Sequence, residues 1–248
     1  MQKHRSDDVT TRSIESLSVK IFADGADLSG MLELYRQPHI KGFTTNPTLM
    51  RKAGITDYVA FACDVLRAIP DRPISFEVFS DDFSEMERQA RTIARWGSNV
   101  YVKIPVTNTR QEPSYNIIKR LSHDGLQLNV TALMTLEQVK SVTEALAGGE
   151  RSCISVFAGR IADTGRDPVP LMREALRIMT AAPEAELIWA SPRELLNVFH
   201  ADSIGCHIIT VTHDILKKLS LIGKSLDEYS LETVKMFYND ASTAKFFV

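Results

Sequence analysis

Lys103 stands between Val102 and Ile104 in the otherwise apolar run NVYVKIPV (99–106). An unpaired ammonium in apolar surroundings is costly, so its pKa is expected to fall. A lysine lowered to a pKa of about 7–8 can attack a carbonyl and form a Schiff base. A strand that ends early and lets the amine reach solvent is the competing reading. Two carboxylates interrupt similar runs: Asp24 ends VKIFAD (19–24) and Glu77 lies in PISFEVF (73–79). Schiff-base chemistry moves protons at the carbinolamine and at a carbon–carbon bond, and two carboxylates in different environments can divide that work. A surface acid or a turn-capping Asp24 would explain the same letters.

Other polar residues fall at comparable places. Thr44, Thr45 and Asn46 follow the run KGFTTN, Asn129 and Thr131 lie in LQLNVTAL, and Ser155 lies in CISVFAG with Phe157 and Arg160 after it. The segment Ser191-Pro192-Arg193-Glu194 has a cap residue, a Pro at N1 and a Glu at N3, and is expected to open a helix before Leu195, Leu196 and Phe199. A helix start with an Arg in its first turn attracts anions. Arg160 could reach the same anion, and two arginine forks suit a phosphate monoester. Ordinary capping beside surface arginines is the alternative.

These side chains need a scaffold that gathers strand ends on one face. The chain has eight short apolar runs, and seven end near a hydrogen-bonding or ionisable group; the eighth, CHIITV (206–211), offers only Thr210 and Thr212. Several runs are nearly continuous in apolar or β-branched residues, as in parallel strands buried on both faces. Between them lie helical patterns. Phe83, Met86, Ala90, Ile93 and Ala94 share one face in 82–96, Thr135 and Gln138 form a capping box, Pro170 suits a first helical turn, and a last helix covers about 227–240. Eight βα units without a break in composition predict a single (β/α)₈ TIM barrel over 18–248, with a C-terminal helix and a polar extension over 1–17. A doubly wound open sheet is the second choice; its first turn, here ADGAD, lacks the G-x-G-x-x-G of a dinucleotide site.

Composition narrows the function. Of 248 residues, 29 are Lys or Arg and 31 Asp or Glu, so a net charge of −2 gives no electrostatic case for nucleic acid or an anionic membrane. No apolar run approaches the roughly 20 residues of a membrane span, and the polar N-terminus has no signal-peptide core. Cys63, Cys153 and Cys206 are odd in number and form no C-x-x-C, which predicts reduced thiols and a cytoplasmic location. The histidines (His4, His39, His123, His200, His207, His213) have no metal-ligand spacing and are expected to be structural or solvent-facing. Asn129-Val130-Thr131 spells a glycosylation sequon, but in a buried strand without a secretory signal it is not read as one. Phe246 and Phe247 would be exposed unless they dock, for instance on a neighbouring subunit.

From Lys20 to the C-terminal helix the chain resembles the transaldolase family. The segments KIFADGADL, GFTTNPTLM, NVYVKIPVT, LQLNVTALM, ISVFAGRIAD, ASPRELL and SLETVKMFYNDA carry the likeness. The resemblance implies a (β/α)₈ barrel with a Schiff-base lysine on strand 4. Lys103 would form the imine with a ketose carbonyl, and Asp24 would take the proton from the hydroxyl whose carbon is cleaved. Glu77 and Thr131 would hold the water that shuttles protons. Asn46, Asn129 and Ser155 would bind the dihydroxyacetone portion, beside Phe157. Arg160, Ser191 and Arg193 would hold the phosphate. The imine serves as electron sink, so neither a metal nor an organic cofactor is implied. Sugar phosphates are the implied substrates, and a homo-oligomer, dimer or decamer, the implied assembly.

Some positions depart from the family pattern. ADGA stands where D-T/S-A/S is usual, Val156 where Pro is common, and Pro192 where Phe is common. The main expectation is transfer of dihydroxyacetone from a ketose phosphate, such as sedoheptulose 7-phosphate or fructose 6-phosphate, to an aldose phosphate. The pentose phosphate pathway is the family default. One alternative is a specialised transaldolase acting on another sugar phosphate in secondary metabolism. Another is a lyase resembling fructose-6-phosphate aldolase, which releases free dihydroxyacetone; those enzymes tend to carry Gln and Tyr where this chain has Glu77 and Phe157. A non-catalytic barrel that binds sugar phosphates would leave Lys103 unmodified.

Overall fold

The eight apolar runs become eight parallel strands whose order in space is their order in the chain. The computed structural model describes residues 13–244; Phe246, Phe247 and His4 lie outside them. The strands are β1 (Lys20–Asp24), β2 (Ile40–Thr44), β3 (Ile74–Glu77), β4 (Val100–Pro105), β5 (Leu128–Leu133), β6 (Ser152–Val156), β7 (Ala185–Trp189) and β8 (Ile208–Thr212). β8 pairs back onto β1 in register from Lys20↔Ile208 to Asp24↔Thr212, so the sheet is a closed TIM barrel with no free edge.

Helices return the chain from each strand to the next. They are α1 (Leu28–Tyr35), α2 (Pro47–Lys52), α3 (Tyr58–Ala68), α4 (Phe83–Ala94), α5 (Tyr115–His123), α6 (Leu136–Leu146), α7 (Ala158–Ala162), α8 (Pro168–Met179), α9 (Leu196–Ser203), α10 (His213–Leu216) and the C-terminal α11 (Leu226–Ala244). Short polar side chains start many of them: Asp27, Asn46, Asp57, Asp82, Thr135 and Asp167 each accept a first-turn N–H. The Thr135–Gln138 capping box is present. Pro168 takes the opening position of α8, two residues before the expected Pro170. No described helix is long and apolar enough to cross a membrane.

The strands alternate more strictly than their letters suggest. Ile21, Ala23, Val102, Ile104, Val130 and Ile154 belong to the large core between sheet and helices. Phe22, Cys153, Ile188, Ala190 and Ile208 form a second, separate cluster. In β1, β4 and β6 these clusters, together with Lys103 and Ser155, follow the period of two that a strand imposes. Polar side chains on the inner face also bond across the barrel, between strands that are not neighbours: Asn129 of β5 reaches Ser75 of β3, and Thr44 of β2 reaches Thr210 of β8. A continuous apolar run was therefore two interleaved sets, one for the helices and one for the barrel interior.

Gly42 on β2 makes room for the aromatic ring of this interior cluster. A Cβ at Gly42 would lie 2.6 Å from the ring of Phe22, which is itself only 4% exposed. Gly42→Ala is expected to cost about 1–3 kcal/mol, the usual penalty of an overpacked core, and to lower the urea midpoint. An unchanged midpoint would mean that the ring can move aside.

Candidate active site

Glu77, Lys103 and Asn129 sit side by side in register on β3, β4 and β5. Lys103 is 6% exposed. Its Nζ donates to the Thr45 carbonyl at 2.8 Å and lies 3.2 Å from Glu77 Oε2. The ammonium expected to be unpaired is thus paired twice, which is what makes a buried charge tolerable. The strand does not end early either: β4 runs two residues further and pairs Pro105 with Thr131.

Asp24 ends β1, and its Oδ1 accepts from Thr44 Oγ1 at 2.7 Å. Thr44 has one hydroxyl proton and gives it to the carboxylate, so Thr210 must donate to Thr44 in turn. Crowding by protein atoms pushes the Asp24 carboxyl pKa up; the Lys103 charge and the Thr44 bond oppose this, Glu77 adds to it, and an Asn46 bond opposes it. Asn46 also caps α2, its Oδ1 accepting from the Leu49 N–H at 2.9 Å.

Asn129 is fully buried between two hydroxyls. Its Nδ2 donates to Ser75 Oγ at 2.9 Å, and its Oδ1 accepts from Ser155 Oγ at 2.7 Å. The two hydroxyls satisfy both ends of the amide. Thr131 is also buried, yet its Oγ1 has no hydrogen-bond partner among the described residues. The next residue, Ala132, has φ 68°, and the β5–β6 register shifts between Val130 and Leu133. A left-handed alanine costs on the order of 1 kcal/mol, so the bulge is strain held beside the site.

The segment after β7 differs from expectation. Ser191 is not a helix cap: its φ is 60°, and α9 begins only at Leu196 with no side-chain cap. Pro192 is buried, and the chain crosses 191–195 as a loop. The anion-binding helix start expected there is absent. The arginines remain. Arg193 forms a two-point ion pair with Asp163, Nε to Oδ1 at 3.0 Å and Nη2 to Oδ2. Arg160 is exposed, its guanidinium 5.4 Å from the centre of the Phe157 ring. The loops after β6 and β7 touch at Gly159, where a Cβ would fall 1.5 Å from the Ser191 carbonyl oxygen and 3.3 Å from Arg193 Nε.

The structure therefore joins Lys103 with Glu77, links Asp24 with Asn46, and joins Asn129 with Ser155. It gathers Phe157, Arg160, Ser191 and Arg193 where the loops after β6 and β7 meet. Ser75 and Asp163 escaped notice in the sequence, and Thr44 and Thr210 were seen without a role. Period two would have found Ser75, two residues before Glu77; nothing local marks Asp163. His207 serves the scaffold, its Nδ1 accepting the Leu187 N–H at 2.9 Å.

Known proteins share this arrangement of sequence. Residues 21–247 match the Transaldolase/Fructose-6-phosphate aldolase family. The chain belongs to that family. It is 34% identical over 202 residues to a probable transaldolase of Dehalococcoides mccartyi, covering 81% of this chain and 90% of that protein. A probable transaldolase of Streptococcus agalactiae is 34% identical over 216 residues, 87% of this chain and 95% of the relative. Among solved structures, 2,3-dimethylmalate lyase (TM-score 0.53, 13% identity, 96% of this chain and 87% of that one) shares the fold alone. So does the putative copper homeostasis protein CutC from Streptococcus agalactiae (TM-score 0.59, 12% identity, 77% and 97%).

Because the folded-state pKa of Asp24 is raised, its contribution to stability is fully present below the unfolded value of about 3.9. It is lost as pH rises through the folded value. Above the unfolded value, the raised pKa of Asp24 therefore weakens the fold. Asp24→Asn is expected to raise Tm at pH 7 by about 2–4 °C, the effect of ~1 kcal/mol in a chain of this size, with a smaller gain at pH 4. A fall in Tm at pH 7 would show that the Lys103 attraction outweighs the crowding.

Proposed function

We propose that this enzyme of the transaldolase family transfers a dihydroxyacetone unit between sugar phosphates through an imine on Lys103. The observation that carries the reading is the buried Lys103 amine, 3.2 Å from one carboxylate, in a barrel whose first strand ends in another. In this reading the amine adds to the ketose carbonyl and water leaves, giving the imine. Glu77, with the unpartnered Thr131 hydroxyl, holds the water that carries those protons. Asp24 takes the proton of the hydroxyl on the carbon to be cleaved. The carbon–carbon bond breaks, an aldose leaves, and its bonding pair stays on the lysine-bound fragment as an enamine. The enamine then attacks the acceptor aldehyde, Asp24 returns the proton to the new hydroxyl, and water releases the product. A raised carboxyl pKa suits a group that both takes and returns a proton.

Asn46, Asn129 and Ser155 bind the dihydroxyacetone hydroxyls in this scheme, and Arg160, Arg193 and Ser191 the phosphate. Phe157 favours transfer over hydrolysis, because its ring offers no hydroxyl to hold an attacking water. A cytoplasmic location and a pentose-phosphate role complete the reading, as does a single barrel domain over 18–248. A homo-oligomer belongs to it as well. α11 has no buried residue and exposes large apolar side chains, among them Val234, Phe237 and Tyr238.

Borohydride added with fructose 6-phosphate is expected to fix a three-carbon adduct on Lys103, seen by peptide mass spectrometry, and Lys103→Ala to abolish both adduct and turnover. Full turnover by that variant would sink the imine. Glyceraldehyde 3-phosphate should accumulate from fructose 6-phosphate only when erythrose 4-phosphate is present; sustained release without it means a lyase. Glu77→Gln combined with Phe157→Tyr should increase acceptor-independent release, and no increase would remove the reason for choosing transfer.

A further inference from the structure

We propose that Asp163 is a positioning residue for the phosphate site, orienting Arg193 so that one edge of its guanidinium is presented to the substrate's phosphate. This rests on the reading of Arg193 as a phosphate ligand. A guanidinium carries five N–H donors in a rigid plane. Asp163 takes the side edge, Nε to Oδ1 at 3.0 Å and Nη2 to Oδ2. The end edge, both Nη1 hydrogens and the remaining Nη2 hydrogen, has no acceptor among the described residues. That edge is a second bidentate fork, and phosphate oxygens match it as a carboxylate does.

The surroundings fix where the fork stands. Arg193 Nε lies 3.3 Å from the point a Gly159 Cβ would occupy, so the guanidinium passes against the start of α7, one residue from Arg160. Asp163 closes the same short helix: its N–H donates to the Gly159 carbonyl at 2.9 Å. The backbone of Arg193 is pinned as well, its N–H donating to Asn197 Oδ1 at 2.8 Å. Asp163 and Arg193 are each about half exposed, 52% and 49%. An exposed pair adds little to stability, so its two-point geometry matters for orientation. An arginine side chain free to swing would lose rotamer freedom on binding phosphate, and Asp163 removes most of that freedom beforehand.

The test compares ligands with and without phosphate on four variants. Borohydride trapping on Lys103 is measured against concentration for fructose 6-phosphate and for dihydroxyacetone. Asp163→Ala is expected to raise the half-saturating concentration of fructose 6-phosphate about tenfold, equivalent to ~1.4 kcal/mol, and to leave dihydroxyacetone trapping as in the parent. The intact dihydroxyacetone reaction doubles as the check that the variant is folded. Asp163→Asn, which keeps one acceptor, should fall between. Asp163→Ala in an Arg193→Ala background should add nothing, because the residue acts through that arginine. If Arg193→Ala raises the fructose 6-phosphate value and Asp163→Ala does not, or lowers it, positioning is wrong. If Arg193→Ala itself changes neither ligand, the phosphate reading fails first.

Discussion

A primary amine inside a closed barrel must be partnered, and the contact of Lys103 with Glu77 is the constraint on which this interior is built. Glu77 ends β3 and faces Lys103 across one ladder position, so a register slip between β3 and β4 would break the pair. The second partner, the Thr45 carbonyl, comes from the turn after β2, where Asn46 starts α2 and reaches Asp24. One ammonium thus ties together three strand ends. Bonds between neighbouring strands and across the barrel satisfy most of the polar interior, Thr131 excepted, and the apolar half of each strand is left to the helices.

Barrel closure and the placing of Lys103 were legible because both follow from periodic features. Eight apolar runs at βα spacing admit few architectures, and the fourth of them interrupts itself with one charge. The Thr135–Gln138 box was legible for the same local reason. Ser75 was hidden because serine in a strand carries no cost that the sequence displays. Asp163 was hidden because its partner lies thirty residues away on another loop. The helix expected at Ser191 failed on a tertiary condition. Its cap, proline and glutamate were all present, but the close passage of Gly159 against the Ser191 carbonyl accompanies a left-handed backbone there.

The places where local rules fail are not scattered. Ala132 and Ser191 are two of the three non-glycine residues with left-handed φ among the described residues; the first follows Thr131 and the second precedes Arg193 by two. Sequences tend to break local preferences where a site demands it. Here the bulge at Ala132 comes directly after the Thr131 hydroxyl, and the turn at Ser191 brings the loop back over the start of α7.

Phe22 and the cluster around it have a consequence for traffic. Cys153, Ile188, Ala190 and Ile208 pack with that ring across the barrel, and a cavity of about 490 Å³ lies beyond them, lined by Lys20, Tyr101 and Glu186 at the opposite mouth. The barrel is a packed layer there and not a pore. The Phe22 layer therefore stands between Lys103 and that mouth. In the proposed transfer, the departing aldose and the incoming acceptor would both pass the other end of the barrel, where Glu77 and Lys103 pair. Sharing one route, they would exchange in turn by the shape of the barrel, without a moving part to keep them apart.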